Sequence, residues 1–228
     1  EGRIHYVCRL AAAWVFLRQT PISERRYGLI LANYPNRDGR LGNGVGLDTP
    51  ESVIRLLKAM ENKGYGVGDI PVDGQTLIKR VMAGPTNAFE NLDQRMITET
   101  ISKDEYGEFF CGLSNVVREA VLDRWGPPEN DPFFLSHGTY TDGFAIPAFR
   151  LDNVAICLQP ARGYNINPKE TYHSPDLVPP HNYLAFYIWL RKIFQAHAVV
   201  HLGKHGNLEW LPGKALALSE NCFPEVVL

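Results

Sequence analysis

The densest chemistry in the sequence lies in HLGKHGNLEWLPGK, residues 201–214, where His201, His205 and Glu209 recur at steps of four. Imidazole and carboxylate both bind late first-row divalent ions, and both accept protons near neutral pH. On a helix this spacing would align all three on one face, but Gly203 and Gly206 argue for a loop. Leu208, Trp210 and Leu211 surround Glu209 with apolar neighbours, and a carboxylate buried among them would hold a proton more tightly. H-x3-H-x3-E matches no standard zinc signature. Spacing alone therefore leaves two readings open: a metal-handling site, or a structural turn with buried, satisfied histidines.

A second group of polar residues lies upstream: Gln159, Arg162, Tyr164, His173, His181 and Tyr183. Arg162 could clamp a carboxylate bidentately, and His173 and His181 could face the first cluster. A Pro-rich surface loop with incidental histidines is the alternative. A third candidate is the Gly-rich stretch from Asp38 to Asp48, with Asn33, Arg37 and Arg40 close by. It lacks the G-K-[ST] of a phosphate-binding P-loop and is too long for a dinucleotide-binding turn. It reads as a substrate loop rather than a nucleotide site. Neither a G-x-S-x-G elbow nor an H-E-x-x-H pair occurs.

The elements that must position these residues form an α/β pattern. Residues 1–19 read as a helix stopped by Pro21, and Arg26 to Asn33 as a buried strand. Thr49 offers an N-cap with Pro50 at the first helical position, and that helix ends near Gly64. Asp73 caps another helix through about Met82. Apolar residues from Phe109 to Val121 recur at three and four, which predicts one long helix from about Asp104 to Trp125. Phe144 to Phe149 and Asn153 to Gln159 read as two strands, the first confined to an edge by Pro147. A Pro-rich loop, residues 160–180, leads to an aromatic helix from Asn182 to about Gln195, and Ala198 to His201 is a short strand.

The expected fold is α/β, a mostly parallel sheet with flanking helices, as an internal fragment of a much larger multidomain chain. Residues 1–25 would be a helix and linker from a preceding region. Residues 26–142 would form an α/β part with the Gly-rich loop, and residues 143–228 a part carrying the 201–214 motif, in one domain or two. In open sheets of this kind ligands gather at the carboxyl ends of strands, and His201 ends one.

Composition excludes several classes. Net charge is −2 with no basic block, so there is no electrostatic footprint for nucleic acid. No apolar run approaches the roughly 18 residues of a membrane span. The stretch Leu10 to Leu17 is too short, and its three alanines precede the bulky residues, the wrong order for a cleaved signal. Four scattered cysteines without a C-x-x-C pair suggest reduced thiols and a cytoplasmic location. Glu1 in place of Met, and an apolar run at the other end, suggest an excerpt of a longer polypeptide.

Residues 201–214 also carry a resemblance. They resemble the hallmark segment of cobaltochelatase large subunits (CobN type) and are similar to that of the magnesium-chelatase H subunits. NYPNRDGRLGNGVGLDTPES (33–52), VMAGPTN (81–87) and LQPARGYNINPKETYHSPDLVPPHNYLAFYIWLR (158–191) resemble further segments of the family. The likeness covers most of the chain from about residue 26. Trp210-Leu211 and Ala215 lean to the cobalt branch, because the magnesium branch usually carries Phe and Met, then Gln, at those places.

The resemblance implies a ligase that forms metal–nitrogen bonds. Co²⁺ would be the substrate metal and hydrogenobyrinic acid a,c-diamide the corrinoid, in aerobic cobalamin biosynthesis. ATP would be hydrolysed by partners, an AAA+ ATPase subunit and a second small chelatase subunit (CobS and CobT type), with no nucleotide site in this fragment. Under that implication Glu209 and His205 are catalytic candidates. His201, His205 and Glu209 are metal candidates, with His173 and His181 behind them. Asn33, Arg37, Gln159, Arg162, Tyr183, Lys204, Trp210 and Lys214 would bind the macrocycle or its carboxylates. The alternatives are a magnesium-chelatase-like subunit acting on protoporphyrin IX, and a tetrapyrrole-binding module that catalyses nothing.

Overall fold

The computed structural model describes residues 2–33, 41–44, 46–136, 142–167, 174–206, 208–214 and 218–228. Arg37, Arg40 and His173 lie outside the described residues. Helix α1 (Gly2–Gln19) precedes strand β1 (Tyr27–Leu31), and a short hairpin, β2 (Asn43–Gly44) and β3 (Leu47–Asp48), leads to α2 (Thr49–Asn62). Then come α3 (Gly74–Ala83), β4 (Thr100–Ser102), α4 (Lys103–Cys111), α5 (Asn115–Trp125), β5 (Phe134–Leu135) and β6 (Gly143–Ala145). The chain continues through β7 (Ala148–Leu151), β8 (Val154–Leu158), α6 (His181–Ile188), β9 (Ala198–Leu202) and α7 (Phe223–Val227).

The main sheet has the order β7-β8-β1-β9. β1 runs parallel to both β8 and β9, while β7 is antiparallel to β8. Period-two alternation divides the sheet residues between two cores. Leu29, Leu31, Val154, Ile156 and Leu158 point to one face, where Val53, Ile54 and Leu57 of α2 and Leu77 and Val81 of α3 cover them. Ile30, Ala155 and Cys157 point to the other, against α6 and the aromatic residues Tyr106, Phe110 and Phe144. All eight residues of α6 are buried. The expected α/β fold with a largely parallel sheet is therefore observed. β1, from the 26–142 stretch, lies between β8 and β9 of the 143–228 stretch.

Four local expectations are corrected. Asp48, not Thr49, caps α2: its carboxylate accepts the Glu51 amide at 3.0 Å, and Pro50 falls within the first turn. The single helix expected from Asp104 to Trp125 is two, because Gly112 closes α4 and Ser114 caps α5. The apolar spacing continues in phase across that break, so periodicity alone could not reveal it. The strand expected over 144–149 is divided at Ile146-Pro147 into β6, which pairs with β4 and β5, and β7, which joins the main sheet. The aromatic helix leaves α geometry after Ile188 and finishes as a π-helical turn, Trp189–Ile193.

Candidate functional site

The carboxyl ends of β1, β8 and β9 meet at one edge of the sheet, and the chain beyond each end is held to its neighbour. Ala32 donates its amide to Leu202 O at 2.8 Å, and Gln159 donates its amide to Leu31 O at 2.9 Å. Asn87, from the segment 81–87, fastens the turn after β8. Its Nδ2 donates to Gln159 O at 2.9 Å, and its Oδ1 accepts the Ala161 amide at 2.8 Å. Gly203 closes the end of β9 at φ +155°, and a Cβ there would stand 2.2 Å from the Ala32 Cβ. The turn into the 201–214 motif thus depends on the absence of a side chain.

His201 pairs with Ile30 in the sheet and so faces α6. Its Nε2 lies 3.2 Å from the Tyr187 hydroxyl of α6, and that hydroxyl donates to Gln159 Oε1 at 3.1 Å. Burial lowers the His201 pKa, opposed by the charge of Glu209. After the Gly203 turn, His205 Nδ1 donates to Gly206 O at 2.6 Å and lies 3.5 Å from Glu209 Oε1. Glu209 sits in a single 3-10 turn, Leu208–Trp210, with Oε2 on the side of Gly206 that also faces His201 Nδ1. Its side chain is 52% exposed, so the burial expected from Leu208, Trp210 and Leu211 is not found. Those residues turn toward the protein, with Leu211 buried.

His201, His205 and Glu209 therefore share one short stretch of surface, arranged by a strand end, a turn and a 3-10 turn rather than a helix face. Among the described residues no group of three or more His, Cys, Asp or Glu side chains gathers closely enough to form a metal-binding cluster. Asn33, just past β1, is 4% exposed, and neither its Oδ1 nor its Nδ2 has a hydrogen-bond partner. A buried amide left bare costs on the order of 1–3 kcal/mol, a cost that a bound polar group would offset. Lys204 and Lys214 are exposed on the motif, and Trp210 is half-buried.

Other candidates have different positions. Arg162 is fully buried, with its guanidinium donating to the carbonyls of Ser174 (3.2 Å) and Trp210. These bonds tie the motif to the loop after β8. His181 is also fully buried. Its Nε2 donates to Gly126 O at 2.9 Å, so its Nδ1 accepts the Tyr106 hydroxyl at 2.6 Å. Both nitrogens are committed, and burial lowers its pKa. Tyr183 is a core residue of α6. Residue type and loop position point to ligand contact for these three, whereas the structure places all three side chains in packing across the chain. Tyr187 and Asn87 do not stand out in the sequence as site residues. The i, i+4 step from Tyr183 is a signal for Tyr187, and the segment 81–87 is one for Asn87.

Three parallel strand ends thus bring a buried bare amide, a histidine network and an exposed carboxylate together at the carboxyl edge of an α/β sheet, the edge where open sheets of this class take their ligands. The chain matches the family model CobN/Magnesium Chelatase over residues 1–228 and belongs to that family. It is 57% identical to aerobic cobaltochelatase subunit CobN of Sinorhizobium sp, over 100% of this chain and 17% of that protein. It is 46% identical to the protein of the same name from Pseudomonas aeruginosa, over 100% and 18%. The solved catalytic subunit of cobaltochelatase from Mycobacterium tuberculosis superposes with a TM-score of 0.82 at 41% identity, covering 97% of this chain and 18% of that one. The magnesium-chelatase protein of the H type from Chlorobaculum parvum is more distant, at 29% identity. The chain thus spans a fifth or less of the length of the relatives it matches. No helix among the described residues is long and apolar enough to cross a membrane.

Proposed function

We propose that this chain is the part of a cobaltochelatase large subunit that delivers Co²⁺ to a corrinoid and receives the protons it displaces. The observation that carries the proposal is the placement of His201 Nδ1 and Glu209 Oε2 about Gly206, at the carboxyl edge of the sheet. The 57% identity to a cobaltochelatase subunit across the whole chain supports cobalt over magnesium. The substrate is hydrogenobyrinic acid a,c-diamide, and the setting is cytoplasmic, aerobic cobalamin synthesis.

Inserting a divalent ion into a free macrocycle requires its ring N–H protons to leave. The exposed Glu209 carboxylate is placed to accept one, and His201 and His205 flank it as donors to the ion. Lys204 and Lys214 project from the same motif and can meet peripheral carboxylates of the corrinoid, while Trp210 offers an indole face. Asn33 supplies the bare amide at the end of β1, and Arg37 follows it closely in the sequence. Desolvating Co²⁺ and opening the ring are costly. Partner subunits of the AAA+ ATPase and second small chelatase types (CobS and CobT) supply that work by hydrolysing ATP.

The test is Glu209→Gln in the complete subunit, assayed for cobalt insertion with its partners, ATP and corrinoid, alongside corrinoid affinity. Insertion should fall at least about a hundredfold, within the range of a lost general base, with binding unchanged. Unchanged insertion would remove Glu209 from the chemistry.

A further inference from the structure

Gln159, Tyr187 and His201 form a hydrogen-bonded row in which each proton can be assigned. Gln159 Nε2 lies 3.2 Å from Pro160 O. A carbonyl oxygen only accepts, so the nitrogen of the Gln159 amide must face it, which turns Oε1 toward Tyr187. That Oε1 also only accepts, so the Tyr187 hydroxyl donates to it at 3.1 Å. Tyr187 has one proton. Spending it elsewhere, for instance on the neighbouring Tyr183 hydroxyl, would leave the oxygen of a 5%-exposed glutamine bare. The Tyr187 oxygen can therefore only accept from His201, 3.2 Å away. Nε2 of His201 carries the proton, and Nδ1 carries the lone pair. Nδ1 has no hydrogen-bond partner among the described residues and faces the Gly206 position beside Glu209 Oε2.

We propose that Gln159 and Tyr187 are positioning residues that fix the His201 tautomer, so that Nδ1 presents its lone pair to Co²⁺ at the Gly206–Glu209 edge. The inference rests on the reading that His201 and Glu209 handle the metal. It gives Gln159 a role in aiming a metal donor rather than in touching the macrocycle. A ring nitrogen binds metal only when it is unprotonated, and the hydrogen bond at the other nitrogen decides which one that is.

The row also predicts a reversal that a purely structural role would not produce. In Gln159→Leu the Tyr187 hydroxyl loses its glutamine acceptor, and a bare imidazole nitrogen is a stronger acceptor than the Tyr183 hydroxyl that remains beside it. The Tyr187 hydroxyl turns its proton to His201 Nε2, which moves the histidine proton to Nδ1 and blocks the metal. In Tyr187→Phe no hydroxyl remains to force either tautomer. The experiment titrates the complete subunit with Co²⁺ alone, follows the visible ligand-field bands, and counts the site whose affinity Glu209→Gln weakens. Gln159→Leu should weaken that site about tenfold, on the scale of one hydrogen bond. Tyr187→Phe should stay within about threefold of wild type, a fraction of one hydrogen bond. The double variant should return from the Gln159→Leu value to the Tyr187→Phe value. A double variant no better than Gln159→Leu, with Glu209→Gln still effective, would overturn the tautomer proposal alone. If Glu209→Gln leaves every Co²⁺ site unchanged, the underlying reading fails, and the proposal with it.

Discussion

Gly203→Ala tests whether the motif turn is set by contact between β9 and β1. Two costs are separable. The backbone at φ +155° is a region essentially reserved for glycine, and holding another residue there costs about 1–3 kcal/mol. The new Cβ would lie 2.2 Å from the Ala32 Cβ, and overpacking of that kind costs a further 1–3 kcal/mol or so. The total is about 4 kcal/mol. At roughly 2–4 °C per kcal/mol for a unit of this size, the transition of this part of the complete subunit should drop by about 10 °C. Ala32→Gly removes the atom that clashes and leaves the backbone cost in place. The double variant should therefore recover about half the loss, measured as a coupling energy in a double-mutant cycle. Equal losses from Gly203→Ala with and without Ala32→Gly would refute the contact. A shift under about 2 °C, less than the smallest of these costs implies, would refute both parts of the argument.

Gly206→Ala should fold normally, because its Cβ would meet Glu209 Oε2 at 3.4 Å and His201 Nδ1 at 3.6 Å, ordinary contact distances. The methyl would nevertheless occupy the space between those donors, so cobalt insertion should fall at least about tenfold with thermal stability unchanged. Gly107→Ala, inside α4 with open space around the position, should stabilise the protein by about 0.5–1 kcal/mol in denaturant unfolding. Asp131 accepts the amides of Phe133 and Asn182 and is pushed up to about 6 by burial. A raised carboxyl pKa favours the protonated form in the fold. Its contribution, roughly 1–3 kcal/mol, is fully present below the unfolded value near 4 and is lost as pH rises through about 6. His181, with a lowered pKa, acts in the opposite direction, so the comparison needed is between the stability curves of wild type and Asp131→Asn across about pH 4–7. Parallel curves would show that Asp131 does not titrate in that window.

The position of the candidate site on the sheet was legible in the sequence through a rule about strands: His201 stands one residue before the end of β9, and ligands collect where parallel strands end. The face that each sheet residue takes also follows from alternation, as Leu29, Ile30 and Leu31 show. Less could be read where two distant segments decide the outcome. Whether the Arg162 guanidinium meets a ligand or the carbonyls of Ser174 and Trp210 depends on how two loops cross, and residue type favours both equally. Tyr187 gains its role only because β9 brings His201 opposite it and the turn after β8 brings Gln159. At Gly112 and Pro147 the apolar spacing runs on although the backbone does not, so the pattern lengthens α4 and merges β6 with β7.

The placement of β1 has a consequence for how the protein is made. Tyr27 pairs with Val154 on one side and with Ala198 on the other. The central strand is therefore synthesised first and waits for partners that emerge far later, the last of them 171 residues on (198 minus 27). At about 5–20 residues per second that delay is roughly 10–35 s. During it both edges of a strand rich in leucine and isoleucine stay open to wrong pairings. The edge that carries His201 can form only after both partners arrive, so the candidate site is assembled at the end of folding, and a nascent chain stopped before β9 would lack it.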